Sequence, residues 1–172
     1  MGVKGNAILG LITLAAFIGC GLMAQAQESQ VDYDGFVDLS AEISDYRSSR
    51  LVDLDTFNEM KADSDTIILD TRSAEAYRLG HIDGAAHLNF SDFTDDKLAQ
   101  LIPSKDTRIL IYCNNNFTDN VAPVPVKRIE LALNVPTFIN LYGYGYENIY
   151  ELDGAYPLAE PAIHWVGEGS PL

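Results

Sequence analysis

The chain has 172 residues and a formal net charge of −14, because its 25 aspartates and glutamates outnumber its 11 lysines and arginines. Nucleic-acid-binding surfaces need clustered basic residues, so this composition argues against a nucleic-acid partner. It favours a solvated, soluble surface, and any site for an anion must then work through local backbone donors rather than a basic patch. Residues 27–172 are enough for one domain with its own core.

The N-terminus is typical of a secretory signal peptide, which we predict at residues 1–26. Lys4 is its only charged residue, an apolar run follows from Ala7 to Met23, and Ala24-Gln25-Ala26 matches the small-x-small pattern of a cleavage site. We therefore expect an exported protein, periplasmic or extracellular, that starts at Gln27.

An alternative interpretation of the same segment is a lipid anchor. Phe17-Ile18-Gly19-Cys20 resembles a lipoprotein box, although such boxes usually begin with leucine, and it would anchor the protein through Cys20. An uncleaved membrane anchor ranks third, because the apolar run is short and glycine-rich for a membrane span.

Residues 27–49 are polar and acidic, and they predict an acidic leader with at most a short local element around Gly35-Phe36-Val37. From residue 50 onward the pattern alternates between strands and helices. In chain order it predicts a strand at 50–52, a helix begun by Asp53 or Asp55, a buried strand at 66–69 that ends at Asp70, a helix from Ser73 to Gly80, an extended piece at 86–88, a helix from Asp95 or Asp96 to Leu101, and a buried strand at 108–112. This alternation predicts the α/β fold class with a central, mainly parallel sheet.

The prediction is less regular after Cys113. Residues 114–127 are expected to form a long loop, and the period-two spacing of Ile129-x-Leu131-x-Leu133-x-Val135 favours an extended segment, with a helix as the alternative. A helix then follows over 137–142 with Pro136 in its first turn, and a strand over 148–152. The segment at 157–161 and the region of Trp165 are expected to form a tail.

Cys113 is the only cysteine outside the predicted signal peptide, so no intramolecular disulfide can form in the mature chain. A single free thiol is unusual in an exported protein, which leaves a buried, inert residue or a thiol kept for its chemistry. Cys113 directly follows the strand at 108–112, and reactive groups in open α/β sheets lie just outside the carboxyl ends of strands. Its position is that of a nucleophile, which reacts as the thiolate.

Three asparagines follow the cysteine: Asn114, Asn115 and Asn116. Asparagine tolerates positive φ, so consecutive backbone amides can converge on one point, with the side-chain amides as further neutral donors. An ordinary loop is the alternative interpretation, since asparagine is common in loops.

The sequence has no cluster of cysteine and histidine residues with the spacing of a metal site, and we predict neither a metal nor a cofactor. Structural roles are expected for the other candidates: an Asp70–Arg72 ion pair, His81 after a helix stop, solvated Lys127 and Arg128, and a packed helix end with Tyr142, Tyr144 and Tyr146. Lys127 and Arg128 are also the nearest cations after Cys113, so the alternative is that they fold back over the loop.

Several segments together resemble the rhodanese-like domain family over residues 50–165, which leaves residues 166–172 as a tail. They are Ile68-Leu69-Asp70-Thr71-Arg72, Glu75-x-Tyr77, Gly80-His81-Ile82-Asp83-Gly84-Ala85, the strand from Ile109 to Cys113, and the segment from Asn148 to Gly154. The resemblance implies an α/β fold with a central, mainly parallel sheet flanked by helices. It also implies that Cys113 is the catalytic residue that carries sulfane sulfur. The substrate-binding loop would be Asn114, Asn115, Asn116, Phe117 and Thr118.

One part of the family pattern is absent. The family loop has cysteine, four residues and then arginine, but here Thr118 occupies the arginine position and Asp119 follows. Neither supplies positive charge, Asp119 disfavours a nearby anion, and the insertion to about Val135 is longer than the usual loop. We therefore expect poor turnover of thiosulfate, a dianion, and better reaction with less charged persulfide donors.

The leading functional hypothesis is a sulfurtransferase-type enzyme in which Cys113 takes sulfane sulfur from thiosulfate or a persulfide and passes it to an acceptor thiol or cyanide. The alternative is a weak or inactive rhodanese-like module that binds a small anion or a partner protein, with residues 114–135 as the contact surface. A cysteine-dependent phosphatase is disfavoured, because phosphoryl transfer needs a cation on the equatorial oxygens and no arginine is at hand.

Overall fold

The computed structural model describes residues 1–2 and 28–168, and the folded unit discussed below begins at Tyr33. The predicted cleavage site after Ala26 and the alternative lipid anchor Cys20 lie outside the described residues. Within the described part of the chain, none of the helices has the length and apolar character needed to cross a membrane.

Five strands form one parallel sheet in the order β1-β6-β5-β2-β4, and β3 pairs with β7 in a separate antiparallel ribbon. The strands are β1 (Leu51–Val52), β2 (Thr66–Asp70), β3 (His81–Ile82), β4 (Ala86–His87), β5 (Arg108–Tyr112), β6 (Ile149–Leu152) and β7 (Trp165–Val166). The helices are α1 (Tyr33–Glu42), α2 (Ser44–Ser48), α3 (Leu54–Lys61), α4 (Ala74–Leu79), α5 (Asp95–Leu101) and α6 (Asn134–Gly143). The prediction of an α/β fold with a central parallel sheet is confirmed.

Strand β5 lies at the centre of the sheet, between β2 and β6. Its residues Ile109, Leu110, Ile111 and Tyr112 are all 0% exposed, since both faces of the parallel sheet are covered. Ile109 and Ile111 point into a core shared with α6, whereas Leu110 and Tyr112 point into a second core shared with α3. The strand therefore ends between two packed layers, and the next residue is held firmly at the carboxyl edge of the sheet.

Side-chain caps begin two helices where the sequence predicts them. Asp53 accepts a hydrogen bond from the backbone N–H of Thr56 (2.9 Å) at the start of α3. Ser73 accepts one from the backbone N–H of Ala76 (3.2 Å) at the start of α4. Each cap satisfies an N–H group that the first helical turn leaves without a partner.

The segment predicted as an acidic leader is part of the fold. Helices α1 and α2 occupy most of residues 33–48, where the sequence suggested at most a short element around Gly35-Phe36-Val37. Leu39, Ile43 and Tyr46 have helical spacing and pack against the core that contains α6, with Ile43 only 2% exposed. The leader prediction is wrong because it counted the few large apolar residues of this segment and overlooked their period.

The alternating apolar residues after the loop do not form a strand. Ile129–Leu131 is a 3-10 turn, and α6 begins three residues later. Ile129 is 78% exposed and Leu131 is 66% exposed, so packing against a sheet does not stabilise an extended conformation at these residues. The extended interpretation is wrong, and the predicted helix over 137–142 is confirmed within α6.

The region of Trp165, predicted as a tail, packs back onto the domain. Trp165 lies opposite Ile82 in the β3–β7 ribbon, and its ring meets the ring of Phe117 edge-on at 4.9 Å between centroids. Gly80 leaves room for the indole, because a Cβ at this position would lie 2.4 Å from the indole nitrogen. The tail prediction is therefore wrong for this segment.

Candidate active site around Cys113

Cys113 directly follows β5 at the carboxyl edge of the sheet, as predicted, and is 1% exposed. Asn114–Asn116 form a 3-10 turn in which the backbone N–H of Asn116 donates to the carbonyl of Cys113 (3.1 Å). None of the three asparagines adopts a positive φ. The expected positive-φ arrangement is therefore wrong, because a right-handed turn brings the amides round instead.

Backbone N–H groups of Asn115, Leu133 and Asn134 face the Cys113 thiol and act to lower its pKa. The first comes from the turn after the cysteine, and the other two lie at the beginning of α6. Amides at a helix N-terminus have no partner within the helix and carry partial positive charge. The ring of donors around the sulfur is thus assembled from two segments that the long insertion separates.

Burial raises the pKa of the Cys113 thiol above its ordinary value, and this effect outweighs the amide contacts. The N–H groups of Asn134, Asn115 and Leu133 lower the pKa, whereas the carboxylate of Glu151 raises it. The protonated thiol is therefore the favoured form at neutral pH, and the thiolate fraction grows as the pH rises.

The asparagine side chains hold the loop in place. Asn116 accepts a hydrogen bond from the Cys113 backbone N–H (2.8 Å) and donates to the carbonyls of Leu152 (2.7 Å) and Gly154 (3.0 Å). Asn115 exchanges two hydrogen bonds with the backbone of Lys127, at 2.8 and 3.1 Å.

The Asn114 side chain has a similar role, because its Nδ2 donates to the carbonyl of Pro125 (3.0 Å). All three side-chain amides thus donate to backbone carbonyls of the protein. These bonds do not favour the expectation that the side-chain amides serve as free donors for an anion.

Two residues of the predicted substrate-binding loop, Phe117 and Thr118, make contacts with the rest of the domain. Phe117 is 1% exposed and packs against Tyr112 and Trp165, so its side chain is committed to the core. Thr118 is exposed, and its backbone N–H donates to the carbonyl of Tyr156 (3.0 Å). The carboxylate of Asp119 accepts from the backbone N–H of Leu158 (2.8 Å), which ties it to the 157–161 segment.

The expected Asp70–Arg72 ion pair is confirmed and is almost completely buried, with side chains 0% and 2% exposed. Arg72 Nη2 lies 2.6 Å from Asp70 Oδ2, and the Tyr112 hydroxyl donates to the same oxygen at 2.6 Å. Arg72 also donates to the carbonyls of Gly80 (2.7 Å) and Pro123 (3.4 Å). The pair therefore joins the end of β2 to the helix stop and to the insertion.

The expected structural roles of His81, Tyr144 and Tyr146 also hold. His81 stacks on Tyr77 with ring centroids 3.8 Å apart, and its Nδ1 lies 2.8 Å from the Tyr77 carbonyl. Tyr146 is 1% exposed with Lys105 over its ring, and the Tyr144 hydroxyl donates to the carbonyl of Phe93. Among the described residues, no group of histidine, cysteine, aspartate and glutamate is arranged to hold a metal ion.

Sequence reasoning missed a buried polar network behind the cysteine. Asn134 Nδ2 donates to Asn116 Oδ1 (3.0 Å) and to Glu151 Oε1 (3.2 Å). Glu151 in turn forms a two-point ion pair with Arg47 of α2, at 2.6 and 2.8 Å. No local sequence pattern indicates this contact, because Arg47 and Glu151 are 104 residues apart in the chain.

A cavity of about 530 Å³ opens beside the cysteine-bearing loop. Its polar walls include Asn114, the buried Arg72, the exposed Lys127 and Glu75, and its apolar walls come from α4 and the insertion. The remaining lining residues are Thr71, Ser73, Ala76, Leu79, Asn89, Phe90, Ser91, Ala122, Pro123, Pro125 and Leu133. A cavity of similar volume, about 540 Å³, lies around Asp63 and Arg108 at the opposite end of β5.

The sequence of the chain is similar to a family model and to a known protein. The family model for the rhodanese-like domain matches residues 53–158. The tRNA uridine(34) hydroxylase of Bdellovibrio bacteriovorus is 32% identical over 98 residues, which cover 55% of this chain and 23% of that protein. The chain thus spans less than a quarter of the length of this relative.

Two solved structures are similar at lower identity. The BH2092 protein of Bacillus halodurans is 21% identical, covers 69% of this chain and 77% of its own, and gives a TM-score of 0.44. The Rhodanese_3-like domain of the Alr3790 protein from Anabaena is 24% identical, covers 52% and 78%, and gives a TM-score of 0.37. On the match of the family model over residues 53–158, the chain belongs to the rhodanese-like domain family.

Proposed function

We propose that this domain is a sulfurtransferase-type enzyme that carries sulfane sulfur as a persulfide on Cys113. The observation that supports this best is the position of Cys113 at the carboxyl end of β5, beside the start of α6, where three backbone N–H groups face the thiol and act to lower its pKa. Such donors stabilise negative charge on sulfur without a cationic side chain. They replace the arginine that the family places where this chain has Thr118.

The reaction has two displacement steps. The Cys113 thiolate attacks the sulfane sulfur of the donor, and the donor's S–S bond breaks with its electron pair leaving on sulfite or on the donor thiolate. An acceptor thiolate then attacks the outer sulfur of the Cys113 persulfide, so that the acceptor becomes the persulfide and Cys113 returns to the thiolate. Neither step changes the total number of electrons, and no cofactor is required.

The raised pKa of Cys113 sets the pH dependence of the first step. Only the thiolate attacks, and below the pKa its fraction rises about tenfold for each pH unit. We therefore expect persulfide formation to accelerate from neutral pH upward, without the plateau at neutral pH that a strongly acidified thiol would show. The measurement is the rate of persulfide formation against pH with a fixed donor.

The cavity beside the loop favours donors of low charge. Lys127 is the exposed cation on its wall, and Glu75 supplies an opposing negative charge on the same wall. One exposed cation offset by a carboxylate attracts a dianion weakly. We propose that small persulfides are better donors than thiosulfate and that Lys127 orients their charged end.

The decisive experiment is the mass of Cys113 after incubation with a small alkyl persulfide or with thiosulfate. We expect one added sulfur in the wild type, more from the persulfide, and none in Cys113→Ser. Lys127→Gln should slow transfer from thiosulfate several-fold, whereas the matched control Arg128→Gln removes a neighbouring exposed cation and should leave the rate unchanged. Equal effects of the two variants would remove Lys127 from the proposal.

A rhodanese-like module that binds a partner protein through residues 114–135 is the second candidate. Two observations favour it: Cys113 is only 1% exposed, and Ile129 and Leu131 present apolar side chains to solvent. If Cys113 gains no sulfur from either donor but reacts normally with a small alkylating agent, this candidate replaces the enzyme. The tRNA substrate in the name of the Bdellovibrio relative is a poor model for this chain, whose net charge of −14 repels tRNA.

We also propose that the protein is exported, because residues 1–26 have the pattern of a cleaved signal peptide. N-terminal sequencing of the protein recovered outside the cytoplasm should give Gln27 as the first residue. A lipid-modified N-terminus at Cys20 would replace this proposal with the anchored alternative.

A further inference from the structure

We propose that Arg47 and Glu151 are positioning residues of the Cys113 site, which hold its donor amides in place and balance the charge behind the thiol. The inference concerns the thiol itself and does not depend on whether Cys113 carries sulfur. It rests on one continuous network of side chains from α2 to the cysteine.

The network has an unbroken series of hydrogen bonds. Arg47 donates from Nε and Nη2 to the two carboxylate oxygens of Glu151, at 2.8 and 2.6 Å. Asn134 Nδ2 joins Glu151 Oε1 (3.2 Å) to Asn116 Oδ1 (3.0 Å), and Asn116 Oδ1 accepts from the backbone N–H of Cys113 (2.8 Å). Each side-chain amide of the network therefore has a fixed orientation: Glu151 accepts from Asn134, and the carbonyls of Leu152 and Gly154 accept from Asn116.

The position of Asn134 makes the network relevant to the sulfur. Asn134 is the first residue of α6, and its backbone N–H is one of the three that face the Cys113 thiol. Its side chain is held by Glu151 on one side and Asn116 on the other. Glu151 thus helps to position both ends of the donor set: the start of α6 directly through Asn134, and the turn after Cys113 through the bond from Asn134 to Asn116.

The burial of the network explains the need for Arg47. Glu151 is 6% exposed, Asn134 4% and Asn116 5%. A carboxylate so far from water needs a partner of opposite charge, and the Arg47 side chain, 29% exposed, supplies it from the surface. Arg47 lies outside the matched family region, residues 53–158, so this counter-charge is brought to the site by the added helix α2.

The charge balance acts on the thiolate. The carboxylate of Glu151 on β6 acts on the thiol and opposes the thiolate. Arg47 offsets that field from α2, and the Asp70–Arg72 pair at the end of the neighbouring strand β2 is neutral as a unit. The two members of the Arg47–Glu151 pair therefore have opposite effects on the acidity of Cys113.

The test is the rate of alkylation of Cys113 by iodoacetamide as a function of pH, on the full chain, with modification of Cys113 read by peptide mass spectrometry. Arg47→Met leaves the Glu151 charge unbalanced, so the midpoint of the profile should move to higher pH. Glu151→Gln keeps the acceptor oxygen for Asn134 and leaves Arg47 positive, so the midpoint should move to lower pH. At a pH below both midpoints, we expect the two rates to lie on opposite sides of wild type, each by roughly threefold or more.

Two further variants separate this role from a purely structural one. Arg47→Lys restores the charge with poorer geometry, and its midpoint should lie between those of wild type and Arg47→Met. Arg108→Met is the matched control, since the Arg108 side chain is about as exposed as that of Arg47 and pairs with Asp63 at the far end of β5, and its profile should match wild type.

A merely structural network gives a different result. Loosening the loop changes the height of the alkylation profile through access to the thiol and moves Arg47→Met and Glu151→Gln in the same direction. Midpoints that shift together, or that stay at the wild-type pH in both variants, would overturn the proposal. Because the assay contains no sulfur donor, it can fail while sulfur transfer is still observed, and the reverse also holds.

Discussion

Two arginine–carboxylate pairs flank the cysteine-bearing strand, and they differ in almost every respect. Asp70 and Arg72 are two residues apart at the end of β2, with side chains 0% and 2% exposed. Arg47 and Glu151 are 104 residues apart, on α2 and β6, with side chains 29% and 8% exposed. The first pair fixes the framework of the sheet edge, whereas the second lies behind the reactive thiol and reaches the surface.

The difference shows that similar arginine–carboxylate pairs can have different roles, depending on how deeply they are buried. Removal of one partner from a fully buried pair lowers the free energy of unfolding by several kilocalories per mole, because the other charge stays buried without a partner. In the second pair Arg47 is 29% exposed, and Glu151 keeps the hydrogen bond from Asn134 when Arg47 is replaced, so a smaller loss of stability is expected. The expected effects of substitution follow this contrast.

The largest effect is expected at the fully buried pair. Asp70→Asn should lower the free energy of unfolding by roughly 3–5 kcal/mol, because it leaves the guanidinium of Arg72 buried without a counter-charge. The Tyr112 hydroxyl also loses its charged acceptor. Urea unfolding followed by circular dichroism measures the loss, and a cost no greater than that of Arg47→Met would contradict the contrast between the two pairs.

The sequence reveals the first pair and conceals the second for a physical reason. Asp70 and Arg72 belong to one short motif at a strand end, and the caps Asp53 and Ser73 also act within three residues, so local patterns reveal them. The position of Cys113 follows from the apolar strand before it. Contacts of this range are encoded in the sequence window that contains them.

The rest of the site depends on contacts between distant segments. Leu133 and Asn134 meet the Cys113 sulfur only because α6 begins beside it after the insertion, and Arg47 reaches Glu151 only because α2 packs on the same core. The composition of the α1–α2 segment predicts a leader outside the fold, but Ile43 in this segment is only 2% exposed and packs in the core. Tertiary packing decides such segments, and it is not visible in a local window.

A second expected effect concerns the packing that surrounds Arg72. Gly80→Ala should cost about 1–3 kcal/mol, because the new Cβ would lie 2.4 Å from the indole nitrogen of Trp165, and the Gly80 carbonyl is a partner of Arg72. Thermal unfolding measures the cost. Gly143→Ala, in α6, is the matched control. A Cβ at Gly143 would meet only the flexible end of the Leu39 side chain, at 3.1 Å, so this substitution should be nearly neutral.

The double variant sharpens this test. In a Trp165→Leu background the clash is relieved, so Gly80→Ala should cost less than it does in the wild type. Equal costs in the two backgrounds would show that the indole does not determine the need for glycine at this position.

The partly exposed pair should give a smaller loss of stability. Arg47→Met should lower the free energy of unfolding by about 1–2 kcal/mol, because Glu151 loses two hydrogen bonds but keeps the one from Asn134. The same urea unfolding experiment applies. If the loss equalled that of Asp70→Asn, the network behind Cys113 would belong to the framework rather than to the adjustable part of the site.

The smallest effect is expected at the exposed end of the insertion, which extends the same contrast of buried and exposed groups within one loop. Ile129→Ser should change the free energy of unfolding by less than about 0.5 kcal/mol, because the side chain is 78% exposed and has little burial to lose. Val124→Ala, at a residue 0% exposed in the core that holds Tyr112 and Phe117, should cost roughly 1–2 kcal/mol. Comparable costs for the two would mean that Ile129 is covered in solution, and size-exclusion chromatography coupled to light scattering would then show whether a second copy of the chain covers it.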